Sequence, residues 1–107
     1  MAKGLVYANG IKAGILEKRD ANAFYYTYDP LYLSDITLPP ISLTFPKQID
    51  PFYSAVLFPF FYGLLAEGSM KKQQCEILKI DENDHFTRLL KTAQNDTIGF
   101  ITLVEEN

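Results

Sequence analysis

The sequence is poor in the residues from which metal and catalytic sites are usually built. Among its 107 residues it has one cysteine, one histidine and no tryptophan. The lone Cys75 excludes an intramolecular disulfide and a cysteine-based zinc site, and the lone His85 excludes a histidine cluster. No glycines fall into a phosphate-cradling G-x-G-x-x-G or Walker pattern, and the H-R-D and D-F-G elements of protein kinases are missing. We therefore expect no metal site, no cofactor and no catalytic residues, and we do not expect an enzyme.

Positive charge is scarce as well. Ten Lys and Arg stand against thirteen Asp and Glu, which gives a net charge of −3. Proteins that bind nucleic acid neutralise phosphates with clustered cations, so this balance argues against direct nucleic-acid binding. The pair Lys71-Lys72 is interpreted as part of a solvated helix face.

Long apolar runs are also missing. The longest, from Ala55 to Leu65, is much shorter than the ~20 residues of a membrane span, and Pro59 and Gly63 interrupt it. The first four residues lack the apolar region of a signal peptide. We expect a cytoplasmic protein without membrane contact.

The first quarter of the chain has the pattern of a three-stranded antiparallel meander. Leu5–Ala8 favours a strand, and Asn9-Gly10 is the dipeptide that a two-residue type I′ hairpin turn prefers. The returning strand should alternate, with one face formed by Ile11, Ala13 and Ile15 and the other by Lys12, Gly14 and Leu16. The aromatic segment Phe24–Tyr28 favours a third strand, which Asp29-Pro30 ends.

The middle of the chain has weaker signals. Residues 31–40 are predicted to be irregular. Ile41–Phe45 alternates apolar and polar residues and predicts a short half-buried strand. Lys47–Tyr53 is interpreted as a connector, in which Asp50-Pro51 has the cap-and-proline pattern of a brief helical turn.

Helical spacing begins after Pro59. The i,i+4 pairs Phe60/Leu64 and Phe61/Leu65 predict a helix with a broad apolar face, ended by Glu67-Gly68. Ser69 is the predicted N-cap of a second helix that runs to about Lys79. The apolar positions of that helix are Met70, Ile77 and Leu78, and the positions left for water are Lys71, Lys72, Gln73 and Glu76.

A third helix and a last strand complete the chain. Asp84 is the predicted N-cap, and the apolar positions that follow it at helical spacing are Phe86, Leu89, Leu90 and Ala93. A turn at residues 94–96 and a β-branched strand over Thr97–Val104 follow. These elements predict one α+β domain over residues 1–107, with a small antiparallel sheet (an N-terminal meander plus a C-terminal strand) packed with about three helices.

Aromatic residues are the feature that the sequence has in excess, with seven Tyr and eight Phe. Aromatic side chains on an open sheet can stack on bases, which leaves a small nucleic-acid-binding protein as one alternative. The aromatic strand has no Lys or Arg between Ala23 and Tyr28, however. We favour a structural core together with a patch that faces a protein partner.

Several segments, in order, resemble the N-terminal subdomain of the HipA family of Ser/Thr kinase toxins. The hairpin around Asn9-Gly10 is similar to the start of that family, and residues 40–46 (PISLTFP) resemble its P-L-S-x-S-x-P segment. Residues 60–68 (FFYGLLAEG) resemble its F-F-x-x-L-L-P-E-G stretch. Residues 86–90 with 95–100 resemble its F-x-L-L…G-x-D-x-x-G-A block. Two positions depart from the pattern: Ala66 stands where proline is usual, and Ser69 stands where a bulky aromatic often follows the Glu-Gly pair.

The resemblance implies a function through a protein partner. The chain looks like the free-standing, HipS-like small protein of a three-component HipBST-type toxin–antitoxin system. Its implied partner is a HipA-like (HipT-type) Ser/Thr kinase and, through that complex, a HipB-like DNA-binding protein. The expected function is a non-catalytic antitoxin-like or regulatory protein that binds and restrains the kinase. The alternative is a structural N-terminal module of a longer HipA-type kinase without an inhibitory role.

The expected contact lies between the first two predicted helices. The partner-binding residues are predicted to be Ala66, Glu67, Gly68, Ser69 and Met70. The residues expected to support them from beneath are Phe60, Phe61, Leu64 and Leu65, which as part of an apolar helix face also fit an ordinary core. The predicted mechanism is steric, with the projecting segment approaching the nucleotide or substrate cleft of the kinase.

Overall fold

The computed structural model describes residues 2–94 and 100–106. Its five strands are β1 Ala2–Ala8, β2 Ile11–Asp20, β3 Ala23–Tyr28, β4 Phe52–Ser54 and β5 Ile101–Glu106. Its four helices are α1 Pro30–Ser34, α2 Pro59–Tyr62, α3 Gly68–Leu78 and α4 His85–Thr92. The strands form one antiparallel sheet in the order β4-β3-β2-β1-β5. The α+β class, the N-terminal meander and the C-terminal strand are confirmed, while residues 95–96 of the predicted turn and the first three residues of the predicted last strand lie outside the described residues.

The hairpin between β1 and β2 is the predicted one. Asn9 and Gly10 have φ angles of 53° and 83°, and a type I′ turn requires positive values at both central residues. The backbone amide of Asn9 donates to the carbonyl of Phe100 at 2.7 Å. The turn is therefore joined to the start of β5 as well as to its own strands.

A β-bulge makes the predicted alternation of β2 wrong. Val6 lies opposite Gly14, but the next residue of β1, Tyr7, lies opposite Lys12, so Ala13 is the extra residue on β2. Each bulge shifts the side chains beyond it to the other face of the sheet. As a result Ala13 and Leu16, which the sequence assigns to opposite faces, are both fully buried in the core.

The core lies between one face of the sheet and the helices. The sheet contributes buried side chains from four strands, which include Val6, Leu16, Tyr26 and Leu103. Helix α4 packs against β5 and α2, and the predicted apolar positions Phe86, Leu89 and Leu90 of α4 and Ala93 at its C-cap are all buried. The predicted cap is confirmed, because the Asp84 carboxylate accepts from the backbone amide of Thr87 at 3.2 Å.

The segment 31–40 begins with a helix that the sequence analysis did not predict. Asp29 is the N-cap of α1, its side chain accepts from the amide of Leu31 at 3.0 Å, and Pro30 occupies the first helical position. The pattern is the one predicted instead at Asp50-Pro51, where the structure has no helix and the chain leads directly into β4. Both the helical turn at 50–51 and the connector assignment of residues 52–53 are wrong.

The predicted strand at Ile41–Phe45 is wrong as well, because the segment forms a turn. The backbone amide of Phe45 donates to the carbonyl of Ser42, Ile41 and Phe45 are buried, and Leu43 is fully exposed. The Tyr28 hydroxyl donates to the carbonyl of Phe45 and accepts from the amide of Ile41. These bonds attach both ends of the turn to β3. They also satisfy backbone groups that would pair with a neighbouring strand if the segment were in a sheet.

Candidate partner-binding site

The residues predicted to support the site lie on and after α2. The helix is shorter than predicted, because its last turn tightens into hydrogen bonds from Leu64 to Phe61 and from Leu65 to Tyr62, each 3.1 Å long. Phe61 and Leu65 are buried, while Phe60 and Leu64 are half-buried against the same core. These four residues therefore anchor α2 and the chain just after it to the hydrophobic core.

The five residues Ala66–Met70, called the corner below, follow these anchored residues and include the first three residues of α3. Ala66 is half-buried, and the other four residues are exposed. Helix α3 begins at Gly68, with Glu67 in the N-cap position and without a side-chain cap bond from it, so the prediction of Ser69 as N-cap is wrong. Gly68, the first residue of α3, has a φ of 65°, a conformation that glycine adopts without steric cost.

Helix α3 turns its apolar side chains to solvent. Met70 is 57% exposed and Ile77 is 78% exposed, although both were predicted as apolar positions of an amphipathic helix. Of the eleven residues of α3, only Cys75 is buried. Met70 of the corner and Ile77 are seven residues apart, so they lie on the same face of α3.

Arg88 of α4 fixes the corner from inside, and the sequence analysis missed it. It is 3% exposed and is the only buried charged residue of the described chain. Its Nη2 donates to the carbonyl of Ala66 at 2.8 Å, and its Nη1 lies 3.2 Å from Nδ1 of His85. The available signal was its place inside the apolar run of α4, between Phe86 and Leu89, where a solvated residue would not be expected.

His85 lies beside the same group of residues. Its ring meets the ring of Tyr62 edge-on, with centroids 4.9 Å apart. Because a guanidinium can only donate, Nδ1 of His85 is the acceptor and the imidazole is neutral. Burial, followed by the positive charges of Arg88 and Lys71, lowers the pKa of His85, while Asp84 acts in the opposite direction.

A small cavity of about 220 Å³ opens under the corner. It is lined by Tyr62, Leu65, Ala66, Glu67, Gly68, Lys71 and Arg88. The structure thus brings three of the predicted site residues, Ala66, Glu67 and Gly68, together with two cations that were not predicted to belong to the site. Ser69 and Met70 lie outside the lining and face solvent on α3.

Comparison with known proteins gives the family. A family model described as the HipA N-terminal domain matches residues 4–104. The chain belongs to the HipA N-terminal domain family. A solved structure described as the N-terminal domain of HipA toxin is 34% identical, superposes with a TM-score of 0.75, and is matched over 100% of this chain and 94% of that one.

Two relatives of this HipA-domain chain differ strongly in length. An uncharacterized protein of Haemophilus influenzae is 36% identical over 103 residues, which is 96% of this chain and 92% of the relative. A candidate kinase of Sinorhizobium fredii, Y4mE, is 30% identical over 82 residues, which is 77% of this chain but 19% of that protein. The domain thus matches nearly all of one relative and about a fifth of the other.

Two structural findings concern residues 2–94 and 100–106 of this HipA domain. Within that part of the chain, no three His, Cys, Asp or Glu residues come together in a way that could hold a metal ion. None of the helices described there has the length and apolar character needed to cross a membrane. The exposed corner, the exposed side of α3 and the cavity under the corner adjoin one another.

Proposed function

We propose that this HipA N-terminal domain protein binds a HipA-like Ser/Thr kinase and restrains it without catalysing a reaction itself. The observation that carries the proposal is the contrast within the corner. Glu67 to Met70 are exposed, yet the backbone just before them is fixed by the bond from buried Arg88 to the carbonyl of Ala66. A surface held in one conformation loses little conformational entropy on binding.

The proposed mechanism is steric. Phe61 and Leu65 anchor the chain in the core, so the corner projects from a rigid support. In the complex, the corner lies against the nucleotide or substrate cleft of the kinase, and Glu67 supplies a carboxylate for a basic residue there. Exposed Met70 and Ile77 extend the contact along α3, where adaptable apolar side chains suit an interface. A HipB-like DNA-binding protein joins through the kinase.

Co-expression with the HipA-like kinase from the same genome tests this function. The proposal expects that the two proteins purify together and that the chain relieves the growth arrest which the kinase causes alone. A kinase variant without its catalytic Asp is the control, since it should still bind but should arrest nothing. If the two proteins form no complex and the growth arrest is not relieved, the proposal is overturned.

A second function is favoured by one comparison. The match to Y4mE spans 19% of that protein, as expected if the domain is the N-terminal structural module of a longer kinase. In that case the domain stabilises the kinase and does not inhibit it. A kinase whose specific activity rises, or whose melting temperature rises without loss of activity, when the chain is added would favour the structural module.

A further inference from the structure

The cavity under the corner has the charge of an anion-binding site. Two of its lining residues, Lys71 and Arg88, are cations, and its volume is about 220 Å³. A water molecule occupies about 30 Å³ in the liquid, so a carboxylate or a phosphate group fits with room for solvent. Lys71 is half-buried, and Arg88 is almost completely buried at the wall of the cavity.

Arg88 forms no ion pair with a carboxylate within the described part of the chain. Both hydrogen bonds that the structure gives its guanidinium go to neutral acceptors, the carbonyl of Ala66 and Nδ1 of His85. The ion pairs among residues 2–94 and 100–106 are Lys12–Asp29, Arg19–Glu17 and Lys91–Glu105. Fully buried charged side chains are normally paired, because leaving water without a counter-charge is costly.

The carboxylate nearest in the cavity lining does not change this picture. Glu67 lines the cavity but is exposed, and it forms no ion pair with Lys71 or Arg88 in the structure. Burial, and then the positive charges of Arg88 and Lys71, lower the pKa of His85, so both cations act on the same part of the protein. An anion that entered the cavity would meet donors from both cations in a partly desolvated setting, where charge-assisted hydrogen bonds are strongest.

We propose that the cavity lined by Tyr62, Glu67, Lys71 and Arg88 binds an anionic group, a carboxylate or a phosphate, and that Lys71 is the residue that closes on it. The inference rests on the proposed function for the source of the group, which is an acidic or phosphorylated side chain of the partner kinase. The cavity makes the contact selective, since the exposed corner alone would accept many surfaces.

Neighbouring lysines provide a matched test. Lys71 lines the cavity, whereas Lys72 is exposed and does not. Affinity for the HipA-like kinase of the same genome is measured by titration calorimetry for the wild type, Lys71→Gln, Lys71→Arg and Lys72→Gln. We expect Lys71→Gln to weaken binding about tenfold, Lys71→Arg to keep most of the affinity, and Lys72→Gln to change it little. Melting curves of each variant establish that it is folded.

A second arm separates the kinase from a free anion as the source. Inorganic phosphate is titrated into the isolated chain at constant ionic strength, and the backbone amide NMR shifts of Gly68, Ser69 and Lys71 are followed. Shifts that require Lys71 and that accompany competition by phosphate against the kinase support a group supplied by the partner. If the phosphate-induced shifts require Lys71 but the affinity for the kinase does not depend on Lys71, the cavity binds a free anion and not a group of the kinase.

The inference and the proposed function fail in different ways. If the wild type does not bind the kinase, the proposed function fails, and the phosphate arm still tests the cavity. If Lys71→Gln and Lys72→Gln behave alike in both arms, or if Lys71→Arg is as weak as Lys71→Gln, the cavity is not an anion site and the inference is overturned.

Discussion

The ring of Tyr26 on β3 lies directly over Gly14 on β2. A Cβ atom added to Gly14 would lie 2.6 Å from the Tyr26 hydroxyl oxygen and closer still to the backbone carbonyl oxygen of Thr27. The two residues are therefore a matched pair: the large core aromatic fits because its neighbour has no side chain. The sequence assigned Gly14 only to a strand face, and this contact explains why the position is glycine.

The contact predicts a large cost for Gly14→Ala. Because one of the clashes is with backbone, the strand has to shift, and we expect the free energy of unfolding to fall by about 2–3 kcal/mol. Gly63→Ala is the control, since its added Cβ would meet its nearest atoms at 3.4 Å in an ordinary helical conformation. Urea unfolding of both variants measures the difference, and equal losses would contradict the prediction.

The hydroxyl of Tyr26 predicts an unusual response to its removal. It is buried, and no partner for it exists among the described residues. Tyr26→Phe should leave the free energy of unfolding unchanged or raise it by up to about 1 kcal/mol. Tyr28→Phe should lower it by about 1–3 kcal/mol, because the Tyr28 hydroxyl bonds both Phe45 and Ile41. Thermal melts that rank the two variants in the opposite order would show the assignment of hydrogen bonds to be wrong.

The corner predicts a binding defect without a folding defect. Met70→Asp places a charge on an exposed position of α3, so the melting temperature should change little, whereas affinity for the HipA-like kinase should fall about tenfold or more. Leu43→Asp is the control, because Leu43 is also an exposed apolar residue but lies in the turn after α1. Pull-down of the kinase with each variant measures the effect. Equal losses with both variants would show that the corner is not a specific contact.

Arg88→Lys tests whether the corner is held from inside. Lysine keeps the charge, but it lacks the planar guanidinium that hydrogen-bonds the Ala66 carbonyl and His85 Nδ1 at the same time. We expect the free energy of unfolding to fall by about 1–3 kcal/mol and hydrogen exchange to accelerate in the corner before it does in the sheet. The exposed Lys91 of the same helix is the control, and Lys91→Arg should stay within about 0.5 kcal/mol of wild type. Exchange that accelerates evenly along the chain would show only general destabilisation.

His85 predicts a loss of stability in mild acid. Its folded pKa lies below the ordinary value of 6.5, chiefly through burial and then through Arg88 and Lys71. As the pH falls through 6.5, His85 binds a proton in the unfolded chain but not yet in the folded one. The free energy of unfolding therefore decreases until the pH has passed the folded pKa. Denaturation midpoints of wild type and His85→Gln between neutral and mildly acidic pH measure this. The variant should show a smaller decrease, and parallel curves would contradict the prediction.

The elements that sequence patterns predicted correctly are those whose signals are local. Asn9 and Gly10 define their turn by their own backbone preferences, and Asp84 with Phe86 and Leu89 defines α4 within two helical turns. The two Asp-Pro dipeptides show that a local pattern does not always determine the structure that forms. The one at position 29 caps a helix and the one at position 50 leads into a strand, because both outcomes suit the dipeptide and the surrounding chain decides.

Other features that were missed depend on distant partners. β4 has only three residues, and it is a strand because Tyr53 pairs with Tyr25 on β3. The extra residue Ala13 follows from register between two strands and leaves no signal in the order of apolar residues. Arg88 is buried because the carbonyl of Ala66, 22 residues earlier, turns toward it. For the same reason, the sequence could indicate the exposed part of the candidate site but not the cavity behind it.

The single buried residue of α3 makes the opening of that helix measurable. Cys75 is the only cysteine of the chain, and a buried thiol reacts with an alkylating reagent only when its surroundings separate. No other residue of α3 is buried, so the rate at which the reagent modifies Cys75 under native conditions measures how often α3 separates from the domain. A partner that covers α3 should slow the modification of Cys75, so this thiol reports binding of the partner without an introduced label.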